Sequence, residues 1–242
     1  FVQKGIDLLD NENGFFLMAE GGKVDWACHA NDAISAILDV IAFDEAVEVA
    51  YNFYKQHPED TLIVVTGDHE TGGMTVGFAG TRYDTFLDRI GKQKGSYIAF
   101  NKVLEKMRQD QPNLTFEALM PVIREFFGLE VYPADEIDRL KKAAADGDVV
   151  AIDKLSLALQ PFEVDTIKKG LAMTMVPAKD RPKNEDHYYK DYGSYEPVTV
   201  ALTHVLNNKA GIGWTTFSHS GLPTPVSAIG VCSEKFMGHY DN

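Results

Sequence analysis

Basic residues are scarce in this 242-residue chain: 23 Lys and Arg stand against 36 Asp and Glu, giving a formal charge of −13. A nucleic-acid binder needs clustered Lys and Arg to neutralise phosphates, so that class is excluded. The same deficit argues against docking on an anionic membrane surface. Long apolar runs are also missing. The longest, such as Phe15–Ala19 and Leu62–Val65, fall far short of the roughly 18 residues a spanning helix needs. Cysteine is nearly absent; Cys28 and Cys232 could pair, but thiols so far apart in sequence are expected to sit free and buried. The opening Phe1-Val2-Gln3-Lys4-Gly5 has no initiator Met and no apolar signal-peptide core, so the chain is expected to start inside a longer one.

What remains is ordinary for a globular protein, with 45% hydrophobic and 24% charged residues. The length suits one large domain, or one domain with a substantial insertion. Residues 3–10 read as a short helix and Asn11–Gly14 as a turn. The continuously apolar Phe15–Ala19 reads as a strand buried on both faces. A helical stretch follows from about Trp26 to Ile41, and Asp44 is placed to cap a second helix, Glu45 to Gln56, stopped by His57-Pro58. Thr61–Thr66 is the clearest strand. Strand, helix, strand in this order predicts a parallel βαβ unit, hence an α/β fold with a mostly parallel central sheet.

The character changes between residues 81 and 196. Phe116–Phe127, Asp135–Ala144, Val149–Leu159 and Glu163–Met173 read as helices of a largely helical insertion. Lys179–Glu196 is polar and Tyr-rich and reads as an exposed loop. The α/β rhythm then returns with a helix over Val198–Asn208 and strands over Ile212–Phe217 and Val226–Val231. Residues 1–80 and 197–242 therefore form one α/β part, interrupted by 81–196.

Candidate ligands collect at or beside the C-terminal ends of the expected strands, where open α/β sheets bind their ligands. Glu20 ends the first strand. Asp25 and His29 follow at i and i+4, on one helix face, within reach of one metal. Asp68 and His69 leave the strong strand, and His219 leaves the Trp214–Phe217 segment. Carboxylates and imidazoles together suit zinc, and a carboxylate alone also suits magnesium. Singly, each is a common surface residue; the convergence of six ligand types beside Gly21, Gly22, Gly72 and Gly73 is what points to a metal. His57, His187 and His204 read as ordinary hydrogen-bonded histidines, His239 is undecided, and Cys28 reads as packing.

Four segments, taken in order, resemble the alkaline phosphatase family: Phe15–Ala33 (FFLMAEGGKVDWACHANDA), Leu62–Gly73 (LIVVTGDHETGG), Gly213–Gly221 (GWTTFSHSG) and Phe236–Asn242 (FMGHYDN). The resemblance implies that Asp25, His29 and His219 hold one zinc, Asp68 and His69 a second, and Glu20 a magnesium. It places Trp26 where relatives carry a Lys or His that contacts phosphate through water. It implies hydrolysis of phosphate monoesters through a phosphoserine, with two zincs and one magnesium in the full-length enzyme. Export to the periplasm or cell surface follows from the same resemblance; a possible homodimer is expected from the exposed edge and apolar face of half a sheet, and no membrane insertion from the short apolar runs. None of the eight serines stands in the family's Asp-Ser-Ala context. The chain is thus expected to be the C-terminal half of such an enzyme, to bind about one zinc and to be inactive alone. Other two-metal hydrolases (a phosphodiesterase, a sulfatase or a phosphoglycerate mutase) and a non-catalytic metal-binding domain stay open as alternatives.

Overall fold

Helix α1 (Val2–Leu9) leads through a turn into Phe15–Ala19, then to α2 (Gly22–His29) and α3 (Ala33–Gln56). A computed structural model describes residues 1–238; His239 and the last residues of the closing motif lie outside the described residues. Three short strands follow, β1 (Leu62–Val65), β2 (Glu70–Thr71) and β3 (Thr75–Val76). Helices α4 (Tyr97–Asp110), α5 (Phe116–Phe127), α6 (Ala134–Ala145), α7 (Val149–Leu157), α8 (Pro161–Met175), α9 (Asp186–Tyr192) and α10 (Pro197–Ala210) come next. Strands β4 (Ile212–Gly213), β5 (His219–Ser220) and β6 (Ser227–Gly230) follow, with a short 3-10 turn over Ser233–Phe236 after them.

The parallel sheet expected from the sequence is not formed among the described residues. Each strand pairs once and antiparallel: β1 with β6, β2 with β5, β3 with β4. The Phe15–Ala19 run joins no ladder. Phe15 instead meets the ring of Phe53 on α3 edge-on at 5.6 Å, Leu17 lies against Gly5 of α1, and Phe16 and Met18 face outward. Covered on one side by helices and lacking a partner strand among the described residues, the run shows none of the ladder hydrogen bonds that define a strand.

Two further expectations give way to longer-range packing. Asp44 caps nothing, because α3 runs unbroken over 24 residues. The cap is Asp32, which accepts from the Ser35 amide at 3.3 Å, and no Gly or Pro interrupts the chain from there to Gln56. The segment 179–196 is not a plain loop: it contains α9, whose Tyr188 is buried against Tyr192, and Arg181, which is buried and paired with Glu196 at 2.9 Å. The expected strand Ile212–Phe217 shortens to β4.

The main core lies among the later helices. Phe100 and Leu104 of α4, Leu119, Ile123 and Phe127 of α5, and Ile167 and Leu171 of α8 surround Val198, Leu202 and Leu206 of α10. Helix α10 is buried nearly all round, as a central helix must be if it is apolar on every face. Each fully buried leucine there contributes about 1.5–3 kcal/mol. Gly170 lets α8 and α10 approach: a Cβ at that position would sit 3.0 Å from the Pro197 carbonyl. α10 thus links the later helices to the strands that carry the ligands.

Candidate metal centre

Asp25 and His29 lie one turn apart on α2, and Asp25 Oδ1 is 3.4 Å from His29 Nε2. The other imidazole nitrogen of His29, Nδ1, is 2.6 Å from the Phe217 carbonyl oxygen. A carbonyl can only accept, so Nδ1 carries a proton, and in the neutral ring Nε2 keeps its lone pair toward Asp25. Asn31, just beyond the helix, holds this geometry. It adopts a left-handed φ of 51°, and its amide donates to the carbonyls of Cys28 at 2.9 Å and Thr216 at 3.0 Å. Its side-chain oxygen accepts from His204 Nε2 on α10 at 2.9 Å.

Strand β1 delivers Asp68 and His69, with His69 Nε2 3.3 Å from Asp68 Oδ2. The chain then turns sharply at Gly72 and Gly73, at φ +88° and +60°. A Cβ on Gly72 would sit 2.6 Å from the Trp214 ring, and one on Gly73 1.8 Å from Thr215 Oγ1, so only glycine fits this crossing. The Glu70 carboxylate accepts from the Gly73 amide at 3.0 Å and from the Ser220 hydroxyl, pinning β2 to β5. In that ladder Thr71 stands opposite His219.

The result is a cluster drawn from three segments. Asp25, His69 and His219 offer ligand atoms that all lie within 4.8 Å of one another. The His69 and His219 rings stack with centroids 3.4 Å apart, and the His29 and His219 centroids are 5.1 Å apart. Two imidazoles and one carboxylate form a donor set suited to zinc. The hydrogen bonding fits as well: His29 Nε2 faces a carboxylate with a lone pair, an arrangement that a shared cation satisfies.

The remaining sequence-derived candidates stand around this cluster without joining it. Asp68 lies beside His69, its side chain 87% exposed. Glu20 is exposed ahead of α2, its carboxylate close to Gly22. Trp26 is 52% exposed and carries the Lys23 ammonium 3.9 Å over its ring. Cys28 and Cys232 are both free; the second is exposed rather than buried. Burial, reinforced by the Glu70 and Asp25 carboxylates, pushes the Cys28 thiol up to about 11.

Sequence reasoning passed over several groups at this site. Thr71 and Asn31 lie inside the Leu62–Gly73 and Phe15–Ala33 segments but receive no role from them, although an Asn two residues after a ligand-bearing helix is a natural left-handed joint. The Phe217 carbonyl gives no sequence signal at all. The Tyr-rich segment borders the site: Tyr189 lies 2.8 Å from Ser218 Oγ, and burial pushes the Tyr195 hydroxyl up to about 12, with Tyr97 and Asp25 adding to the shift.

Comparison with known proteins gives a consistent picture. The profile of the family described as "Alkaline phosphatase" matches residues 1–242. Alkaline phosphatase 3 of Bacillus subtilis is 27% identical over 232 residues, covering 96% of this chain and 38% of that protein. The chain therefore spans less than two-fifths of the length of the curated relatives it matches most fully in this comparison, Alkaline phosphatase 4 of the same organism included at 39%. Among solved structures, a cold-active alkaline phosphatase from a psychrophilic Shewanella species aligns with a TM-score of 0.65 at 23% identity. That alignment covers 99% of this chain and 46% of the other. The Thermus thermophilus alkaline phosphatase aligns with a TM-score of 0.60 at 19% identity, over 92% of this chain and 39% of its own. At these identities the structural likeness is one of fold. With its residues matched from Phe1 to Asn242, the chain belongs to the alkaline phosphatase family.

Proposed function

We propose that these residues supply the metal-ligand part of a phosphate monoester hydrolase. The observation that carries the reading is the convergence of Asp25, His69 and His219 from α2, β2's approach and β5. In this reading Asp25, His29 and His219 hold one zinc, and Asp68 and His69 a second. The close stacking of His69 on His219 is where the two ligand sets adjoin. Glu20 serves a magnesium, and Trp26 borders the phosphate. Residues 1–80 and 197–242 carry the ligands, and 81–196 form the helical insertion.

Bound zinc supplies Lewis acidity, polarising a phosphoryl oxygen and favouring the deprotonated form of an oxygen nucleophile. The chain's own residues prepare for it. His29 is held by the Phe217 carbonyl so that its Nε2 faces inward, and Asp25 contributes the negative charge that offsets the cation. Asn31 fixes the angle between α2 and the Thr216–His219 segment. The nucleophile of the phosphoserine route is, in this reading, none of Ser35, Ser96, Ser156, Ser194, Ser218, Ser220, Ser227 or Ser233. The full-length protein is the catalyst, and the 242 residues by themselves turn over little or nothing.

The test compares the full-length protein with the isolated 242 residues on an aryl phosphate monoester, a diester and a sulfate ester. The expected result is monoester hydrolysis by the full-length protein, abolished by a chelator, and none by the isolated chain. Faster cleavage of the diester or sulfate overturns the substrate class. Chelator-sensitive turnover by the isolated chain overturns the assignment of the nucleophile elsewhere.

A further inference from the structure

Thr71 touches all three members of the ligand cluster. Its side chain is buried, the residue being 5% exposed. Its hydroxyl Oγ1 lies 2.6 Å from Asp25 Oδ1 and 3.2 Å from His69 Nδ1. Its backbone stands opposite His219 in the β2–β5 ladder. No other side chain meets Asp25 and His69 together among the described hydrogen bonds of the site.

Proton counting settles the direction of these contacts. A threonine hydroxyl has one proton and two lone pairs, and an ionised carboxylate can only accept. At 2.6 Å the proton goes to Asp25, so the hydroxyl meets His69 as an acceptor. The imidazole Nδ1 then donates, which in the neutral ring leaves Nε2 as the nitrogen with a free lone pair. His29 reaches the same state by a different route, through the Phe217 carbonyl. Without the hydroxyl, the competing tautomer gains an advantage, because a proton on Nε2 can be donated to Asp68 Oδ2, 3.3 Å away. That tautomer puts the proton on Nε2, the nitrogen on the Asp68 side, which the proposed Asp68/His69 zinc site would use.

We propose that Thr71 is a positioning residue of the metal centre: its hydroxyl holds the Asp25 carboxylate and locks His69 in the Nδ1–H tautomer. The proposal rests on the reading of Asp25, His69 and His219 as metal ligands. It involves no contact between Thr71 and substrate or metal. Thr71→Val removes the hydroxyl while keeping shape and strand preference, and Thr71→Ser restores the hydroxyl without the methyl.

The test has two readouts on wild type, Thr71→Val and Thr71→Ser. The first is the tautomer of His69 in the metal-free protein, from long-range proton–nitrogen NMR spectra of the imidazoles in alkaline solution. The second is zinc affinity by competition with a chromogenic chelator. Wild type and Thr71→Ser are expected to show the Nδ1–H form, and Thr71→Val the Nε2–H form with zinc affinity lowered about 10- to 100-fold. A wild-type His69 found in the Nε2–H form overturns the proposal whatever the variants do. So does a Thr71→Val protein with unchanged tautomer and affinity, and so does equal loss in Val and Ser, which assigns the effect to methyl packing. If wild type takes up no zinc while the tautomer still switches in Thr71→Val, the metal reading falls and the control of His69 by Thr71 is upheld.

Discussion

His29, His204 and Asn31 show how single side chains hold the site in place. His204 donates from Nε2 to Asn31, and its ring stacks on Phe217 at 5.8 Å, the residue whose carbonyl holds His29. Burial pushes the His204 imidazole down to about 4, with Asp191 opposing the shift. The sign follows from linkage. The folded pKa lies below the unfolded value, so the unfolded chain takes up the proton first as the pH falls. This contribution is fully present above about pH 6.5 and is lost progressively as the pH falls to about 4, a total of roughly 3 kcal/mol. Urea titrations of wild type and His204→Asn across that range should show the extra acid sensitivity in wild type alone; equal slopes would remove it. Asp25, His69 and His219 each stand out as candidates in the sequence, because helical spacing and strand ends are local facts; that His69 rather than His29 joins Asp25 and His219 was not legible there. Nor were Thr71, Asn31 and the Phe217 carbonyl, because their roles depend on contacts between segments far apart in the chain.

Among the elements, the helices were more legible than the strands. Helix α5 falls on the residues its periodicity predicts, and α6, α7 and α8 differ only at their ends. Periodicity and capping are local, whereas a strand exists only if another chain segment pairs with it. Phe15–Ala19 has strand composition and no partner strand among the described residues, and Leu62–Val65 is a strand whose partner, β6, runs antiparallel to it. Helix α3 overran its expected break because Asp44 faced no competing stop signal. The contact between α8 and α10 depends on the missing side chain at Gly170, where a Cβ would also lie 3.1 Å from Ala201 Cβ and Val198 Cα. Gly170→Val should therefore overpack that contact and destabilise the protein by about 2 kcal/mol, read as a lower urea midpoint. An unchanged midpoint would show that the two helices can separate without loss.

At the scale of the whole molecule, the acidic surface, the helical core and the ligand cluster form a consistent division of labour. The core around α10 is built from close-packed apolar helices, and its far end bears on the segments that carry His29, Asn31 and His219. Several large apolar residues on the earlier elements stand exposed, including Phe16, Met18, Leu38, Ile41 and Val76. Family membership and fold class were legible because the four motifs are local and ordered. The sheet arrangement was not, because parallel pairing was inferred from element order alone. The most direct measurement is the zinc content of the purified chain after dialysis against zinc, with His219→Ala and Asp25→Asn alongside. About one zinc per wild-type chain, lost in both variants, is the predicted result. A wild-type chain that retains none, or variants that retain as much as wild type, would contradict a metal centre at Asp25, His69 and His219.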